Sequence, residues 1–374
     1  MTLQEEIDTE SREIQKDSYP ISIGELISMY TVTPSELDIH PEFQRFFRWD
    51  DDQKSKFIES ILLGIPIPPI FVSQREDGVW DVIDGLQRLS TIFGFVGCLK
   101  DENNRLIPPL ELTKTKYLPS LKGKKWDNPD RENSFTQAQR LYLKRGKIDV
   151  QIVKKESDPD IKYELFQRIN TLGSKLSDQE LRNCIFIMYD NNLFKWIDTL
   201  AKYPPFVRCA DLSEKDCLEK FNQELVSRFF VIRYGDLPNL GKVGTFSDYI
   251  TNRLKELWGS PSFDRASEER IFRKTFDLLD QTMGEDSFKK YNAAKRRFEG
   301  RFLVSSFEAI AIGLSVNIDR WEVNPTNVRA IKTQIRNKII GLLSNEEYIS
   351  NTGMGKRFHE RIAAIVPLGR EAFH

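Results

Sequence analysis

Val79-Trp80-Asp81-Val82-Ile83-Asp84-Gly85-Leu86-Gln87-Arg88-Leu89-Ser90-Thr91-Ile92 is the stretch on which the reading of this chain turns. Its first five residues are rich in β-branched and aromatic side chains and read as a strand. Leu86, Leu89, Phe93 and Val96 then recur at helical spacing, with Gln87, Arg88 and Thr91 on another face. A strand that runs straight into a helix presents the unbonded first N–H groups and the positive end of the helix dipole, which suits an anion. Gly85 permits a tight turn and the close approach of a phosphate. Arg88 offers a fixed guanidinium fork for phosphate oxygens. Asp84 is the candidate to hold a divalent metal or orient a water, and Gln87 to position that water. The competing structural reading makes Asp84 a helix cap and Arg88 a surface charge.

Working outward, residues 70–73 form a second strand, joined to the first by the hairpin turn Glu76-Asp77-Gly78. Upstream, Asp50-Asp51-Asp52 opens an amphipathic helix with Phe57, Ile58, Ile61 and Leu62 on its apolar face. Gly64 stops it, and Pro66, Pro68 and Pro69 forbid its continuation. Residues 36–40 and 42–47 read as extended and 147–153 as another strand. Asp158-Pro159 starts a helix, and Ser177-Asp178-Gln179-Glu180 is a capping box for the next. From about 190 onward the apolar spacing is helical, with stripes at 221–232, 298–312 and 328–343. The expected fold is α+β: an acidic arm over 1–20, an α/β domain over 21–190 with a basic insertion at 100–147, and a helical domain over 191–374.

The 374 residues carry 55 Lys+Arg against 56 Asp+Glu, so a wholly basic coat protein and a wholly acidic disordered chain are both excluded. Neither a spanning apolar run nor a secretory leader is visible, and the four cysteines are scattered, which fits free thiols in the cytoplasm. Only His40, His359 and His374 are present, too few for a His-rich zinc site, and no P-loop sequence occurs.

Two further clusters bear on chemistry. Phe43-Gln44-Arg45-Phe46-Phe47-Arg48-Trp49 sets two arginines among aromatics, as either a phosphate clamp or an aromatic strand with snorkelling arginines. Phe166-Gln167-Arg168-Ile169-Asn170 ends a helix beside Gly173, with Asn170 either a C-cap or a ligand contact.

These segments together resemble the N-terminal domain of GmrSD-type modification-dependent restriction systems, grouped with the ParB/sulfiredoxin superfamily. The matching blocks are Pro41-Glu42-Phe43-Gln44-Arg45 with Trp49, then residues 57–70, then Asp84-Gly85-Leu86-Gln87-Arg88-Leu89-Ser90-Thr91-Ile92, and lastly Phe166-Gln167-Arg168-Ile169-Asn170 with residues 176–182. The resemblance covers about 20–190. The family's usual Asp-Gly-Gln-Gln-Arg has Leu86 in place of its first Gln here. The resemblance implies a ParB/sulfiredoxin-like nucleotide pocket and NTP hydrolysis that regulates DNA cleavage. In it Asp84, Gln87 and Arg88 do the chemistry, and Gln44, Arg45, Gly85, Arg88, Ser90 and Asn170 hold the nucleotide. The nucleotide is GTP, ATP or CTP, with Mg²⁺ at Asp84 if the reaction is hydrolytic. The HNH nuclease domain of complete relatives is not recognisable here, which leaves room for a partner nuclease subunit.

DNA contacts are expected from two basic stretches. Residues 114–147 hold ten Lys/Arg against three Asp/Glu, with Tyr117, Trp126 and Tyr142 interleaved, and Lys122, Lys124 and Lys125 are the candidates there. Lys295, Arg296 and Arg297 lie in the second stretch, 289–301, read as a basic helical face. Three function classes result: a nucleotide-hydrolysing restriction or phage-defence protein, a DNA-binding sensor without turnover, and a metal-dependent nickase pairing Asp84 with Glu59 or Asp81.

Overall fold

The computed structural model describes residues 2–4, 16–39, 49–101, 103–154, 168, 177–235, 245–321, 326–353 and 355–374. The chain divides into two compact units, Met1–Leu176 and Ser177–His374. The fold is α+β, a mixed five-stranded sheet in the first unit being followed by a helical second unit.

The first unit is built from β1 (Lys16–Ser22), α1 (Ile23–Thr31), β2 (Leu37–Asp38), α2 (Asp51–Leu63), β3 (Ile70–Gln74), β4 (Trp80–Asp84), α3 (Leu86–Val96), α4 (Gln137–Arg145) and β5 (Lys147–Val153). The sheet order is β1-β5-β3-β4-β2. The β3–β4 hairpin is antiparallel, as its turn predicts, and Gly78 takes a φ of 86° there. β5 joins β3 in parallel, pairing Ile70 with Val150. In β5, Lys147 and Asp149 face out while Ile148, Val150 and Ile152 are buried. α2 starts with the reciprocal Asp50/Gln53 capping box and ends at Gly64, whose φ is 68°. Ile58 of α2 and Leu89, Ile92 and Phe93 of α3 are fully buried with Ile70 and Val72. That apolar layer fixes where α3, and with it the 84–88 turn, meets the sheet.

Lys16–Ser22, which the sequence reading assigns in part to the acidic arm, is an edge strand paired antiparallel with β5. Its residues are poor strand formers apart from Tyr19 and Ile21. Pro20 is tolerated because an edge strand does not need every N–H for the ladder. Thus the signal for this strand lies in its partner, not in itself.

The second unit holds α5 (Asp178–Tyr189), α6 (Asn191–Ala201), α7 (Pro204–Ala210), α8 (Glu214–Leu218), α9 (Phe221–Arg233), α10 (Phe246–Gly259), α11 (Arg265–Thr282), β6 (Lys290–Asn292), β7 (Arg297–Glu299), α12 (Val304–Val316), α13 (Val328–Leu343), α14 (Glu346–Asn351) and α15 (Phe358–Ala372). Ser177 and Glu180 form the expected capping box of α5. Phe206, Phe229, Phe230, Phe272 and Phe276 form an aromatic core at ring separations of 4.5–6.0 Å. α12 and α15 cross at glycines: a Cβ on Gly369 would lie 2.0 Å from the Ala309 carbonyl oxygen. Glu308, fully buried, is met by Arg228 at 2.9 Å and Arg361 at 3.0 Å, so its charge is paired twice.

The expectation of a helical face at 289–301 is corrected by the structure. The stretch is a β-hairpin, β6 pairing with β7, and the helix begins only at Val304. Glu299 organises it: Asn292 donates at 2.6 Å, and Lys295 and Arg297 each lie at 3.2 Å. These partners, the Asn292 hydrogen bond first, hold the Glu299 carboxyl down at about 2. The helical stripe read from 298 therefore starts inside β7, just after a turn in which Arg296 is left-handed, at φ 50°.

Candidate functional site

Gly85 joins β4 to α3 with φ 102° and ψ 9°, a backbone conformation that strains any residue with a Cβ. No side chain caps the start of α3. Asp84, the last residue of β4 and paired with Phe71, therefore has Arg88, one helical turn on, brought back against it. Arg88 Nη2 donates to Asp84 Oδ2 at 2.6 Å and to the Pro69 carbonyl at 3.3 Å. The Arg88 side chain is 13% exposed and that of Asp84 29%. Arg88 Nε is buried with no hydrogen-bond partner. A guanidinium held at an uncapped helix start, with its Nε–H unused, is arranged to take oxyanions.

Gln87, Ser90, Thr91 and Gly94 lie on the next face of α3 and line a cleft of about 540 Å³. Trp49, Lys54, Leu99 and the 107–111 segment complete its walls. The Trp49 backbone N–H donates to Gln87 Oε1 at 3.1 Å, so the Gln87 amide is held at the cleft with its NH₂ end unassigned. The Trp49 indole packs edge-on against Phe57 of α2 at 5.5 Å. Ser90 Oγ is buried and has no hydrogen-bond partner. An unmade bond of this kind in a cleft wall marks a ligand contact or a bound water.

Of the residues singled out in the sequence, Asp84, Gly85, Gln87, Arg88 and Ser90 thus fall on one turn and the first helical turns after it. Asp84 and Arg88 form the ion pair, whereas Gln87 and Ser90 face the cleft. Gln44, Arg45 and Asn170 lie outside the described residues. Trp49 and the 107–111 wall were not expected as site residues. The hydrogen bond from Trp49 spans 38 positions, and no local pattern reports it.

Neither alternative carboxylate joins Asp84. Asp81 is buried and paired with Arg75. Glu59 accepts from the Tyr117 and Leu118 backbone N–H groups at 2.9 and 2.8 Å and so anchors the insertion. Burial alone pushes the Glu59 carboxyl up, but the hydrogen bonds from Thr115, Leu118 and Tyr117 outweigh it and leave it below the usual range. Among the described residues no group of three or more His, Cys, Asp or Glu is placed to hold a metal ion.

The basic insertion is structured. Phe95 of α3 packs on Trp126 and Phe135 at 5.7 and 4.8 Å, and Arg140 and Lys144 lie over the Trp126 ring. Lys122 is exposed, but Lys124 donates to the Glu132 carbonyl and Lys125 pairs with Glu111 at 3.1 Å. In the second unit Lys295 and Arg297 are committed to Glu299, and Arg296 is exposed at its turn.

Residues 23–187 match the family described as GmrSD restriction endonuclease, N-terminal domain. The match spans less than half of the chain and supports the GmrSD N-terminal family for this segment. It includes the whole Asp84–Arg88 turn and both walls of the cleft. No curated protein and no solved structure matches the chain. Among the described residues no helix is long and apolar enough to cross a membrane.

Proposed function

We propose that the GmrSD-like segment binds a nucleoside triphosphate at the start of α3 and hydrolyses it as part of a cytoplasmic DNA-restriction or phage-defence system. In this reading the chemistry is of the ParB/sulfiredoxin type, and a partner nuclease cuts the DNA. The observation that carries the proposal is Arg88, poised at the glycine-entered, uncapped helix start with Asp84 as its resting partner.

In this reading the phosphates meet the first N–H groups of α3 and the Arg88 fork, displacing Asp84 from it. Gln87 and Ser90 contact the nucleotide from the cleft wall, with the Gln87 NH₂ group oriented toward the attacking water. A lone carboxylate fits Mg²⁺ in the mode where substrate phosphates supply most ligands, and Asp84 would hold it. Bound there, the ion would supply charge neutralisation on the phosphate oxygens. In this proposal the first unit, with β1 in its sheet, is the nucleotide domain, and the helical second unit flanks it in sequence.

Phosphate release from each NTP with Mg²⁺, with and without DNA, tests the turnover. Ser90→Ala separates binding from folding. Removing a buried, unsatisfied hydroxyl leaves stability unchanged or raises it by up to about 1 kcal/mol, while nucleotide affinity falls by roughly three- to tenfold, the worth of one hydrogen bond. Equal loss of stability and affinity would assign Ser90 to the core instead. Salt-steep DNA binding without any turnover or nucleotide binding would favour the sensor reading.

A further inference from the structure

A second concavity of the first unit lies where α2 ends and α4 ends, and it plays no part in the nucleotide reading. It is about 700 Å³, and Ile61, Ile65, Ile67, Leu141, Tyr142 and Arg145 line it together with Lys147 and Asp149. Its two walls have separate local causes. Gly64, left-handed at φ 68°, turns the chain into the proline-stiffened 65–69 run, which stands away from α2. On α4, Ala138, Leu141, Tyr142 and Arg145 follow an i, i+3, i+4, i+7 spacing and so form one face. The core face of that helix is carried by Leu143, which is fully buried. The 138–145 face is left uncovered: Tyr142 is 56% exposed and Leu141 42%.

Charge says what would cover it. Lys144, Arg145 and Lys147 are all exposed, and neither Arg145 nor Lys147 has a carboxylate partner among the described residues. Among the described residues Asp149 is the one acidic group lining the groove. The local excess is positive, so a second copy of this face would be repelled. An exposed tyrosine and aliphatic walls beside unpaired cations combine a stacking surface for a base with counter-charges for its flanking phosphates. We propose that this groove takes an unpaired or extruded nucleotide of a DNA strand, with the base against Tyr142 and Leu141 and the phosphates at Arg145 and Lys147. The proposal rests on the reading that the protein belongs to a DNA-restriction system, and it moves the contact from Lys124 and Lys125, which are engaged internally, to residues with no ion-pair partner among the described residues.

The test is fluorescence anisotropy with a labelled 20-mer oligodeoxythymidylate and with a duplex of equal length, over a salt series. Tyr142→Ala is expected to weaken binding of the single strand by about tenfold or more, the worth of one stacked base. Arg145→Ala combined with Lys147→Ala is expected to lower the magnitude of the salt slope by about 1.4, near 0.7 per lost phosphate contact. All three residues are exposed, and unchanged thermal unfolding of the variants verifies that the fold is kept. Wild-type binding that survives both variants overturns the groove while leaving the DNA reading intact. Absence of any wild-type DNA binding overturns both, but not the nucleotide reading, which is measured separately. Binding of polyglutamate with equal affinity, lost in the same variants, would assign the groove to an acidic polypeptide instead.

Discussion

Replacing Gly85 by alanine is expected to destabilise the first unit by about 2–5 kcal/mol and to abolish nucleotide binding with it. Two costs add. A φ of 102° forces an L-residue into left-handed space, at about 1–2 kcal/mol. The new Cβ would also lie 2.4 Å from Ile70 Cγ2 and 2.9 Å from Ile70 Cβ, a clash in a layer where Ile70 is fully buried, at about 1–3 kcal/mol. The same methyl would sit 3.2 Å from Arg88 Nη2, so even a folded variant has a displaced guanidinium. Gly78→Ala is the control: its φ is 86°, but nothing lies within 4 Å of the added carbon, so only the backbone cost applies. Urea unfolding read by hydrogen exchange of the β3 and β4 amides measures both. Equal losses in the two variants would mean that the strand–helix turn is not packed on Ile70 as described.

The second large effect is on binding. Arg88→Ala is expected to cost about 2–3 kcal/mol in nucleotide affinity, close to a hundredfold, because charge-assisted bonds to phosphate are removed at a site sheltered from water. Folding should suffer less, about 1 kcal/mol. The Asp84–Arg88 pair is partly exposed, and the variant also removes the buried, unpartnered Nε. Arg88→Lys keeps the charge without the planar fork and should fall between, at roughly a tenfold loss. Equilibrium titration with a fluorescent NTP analogue checks the series. Affinity unchanged in Arg88→Ala would remove the phosphate from this turn.

Much of this was legible locally. The strand-to-helix junction at 84–88, the hairpin with Gly78, the stop at Gly64 and the capping box at Ser177 are each encoded within a few residues, and each is present. What escaped depends on distant partners. β1 is a strand because β5 offers an unpaired edge, although its own sequence is polar. Residues 289–301 form a hairpin because Glu299 gathers Asn292, Lys295 and Arg297, and apolar spacing carries no trace of that. The same limit holds at the site. Asp84, Gln87 and Arg88 announce themselves, whereas the cleft beside them is completed by Trp49 and the 107–111 segment through long-range contacts. Charge counting found the basic insertion but not its spent lysines. Only the geometry shows Lys125 paired with Glu111, and Arg145 and Lys147 without an ion-pair partner among the described residues.

The most direct test of a nucleotide site at this turn is amide hydrogen exchange of the intact protein with and without saturating NTP and Mg²⁺. The account predicts slowed exchange concentrated in residues 85–91, where the first N–H groups of α3 would be covered by phosphate, and the loss of that protection in Arg88→Ala. Tight nucleotide binding with protection elsewhere and none at 85–91 would contradict it.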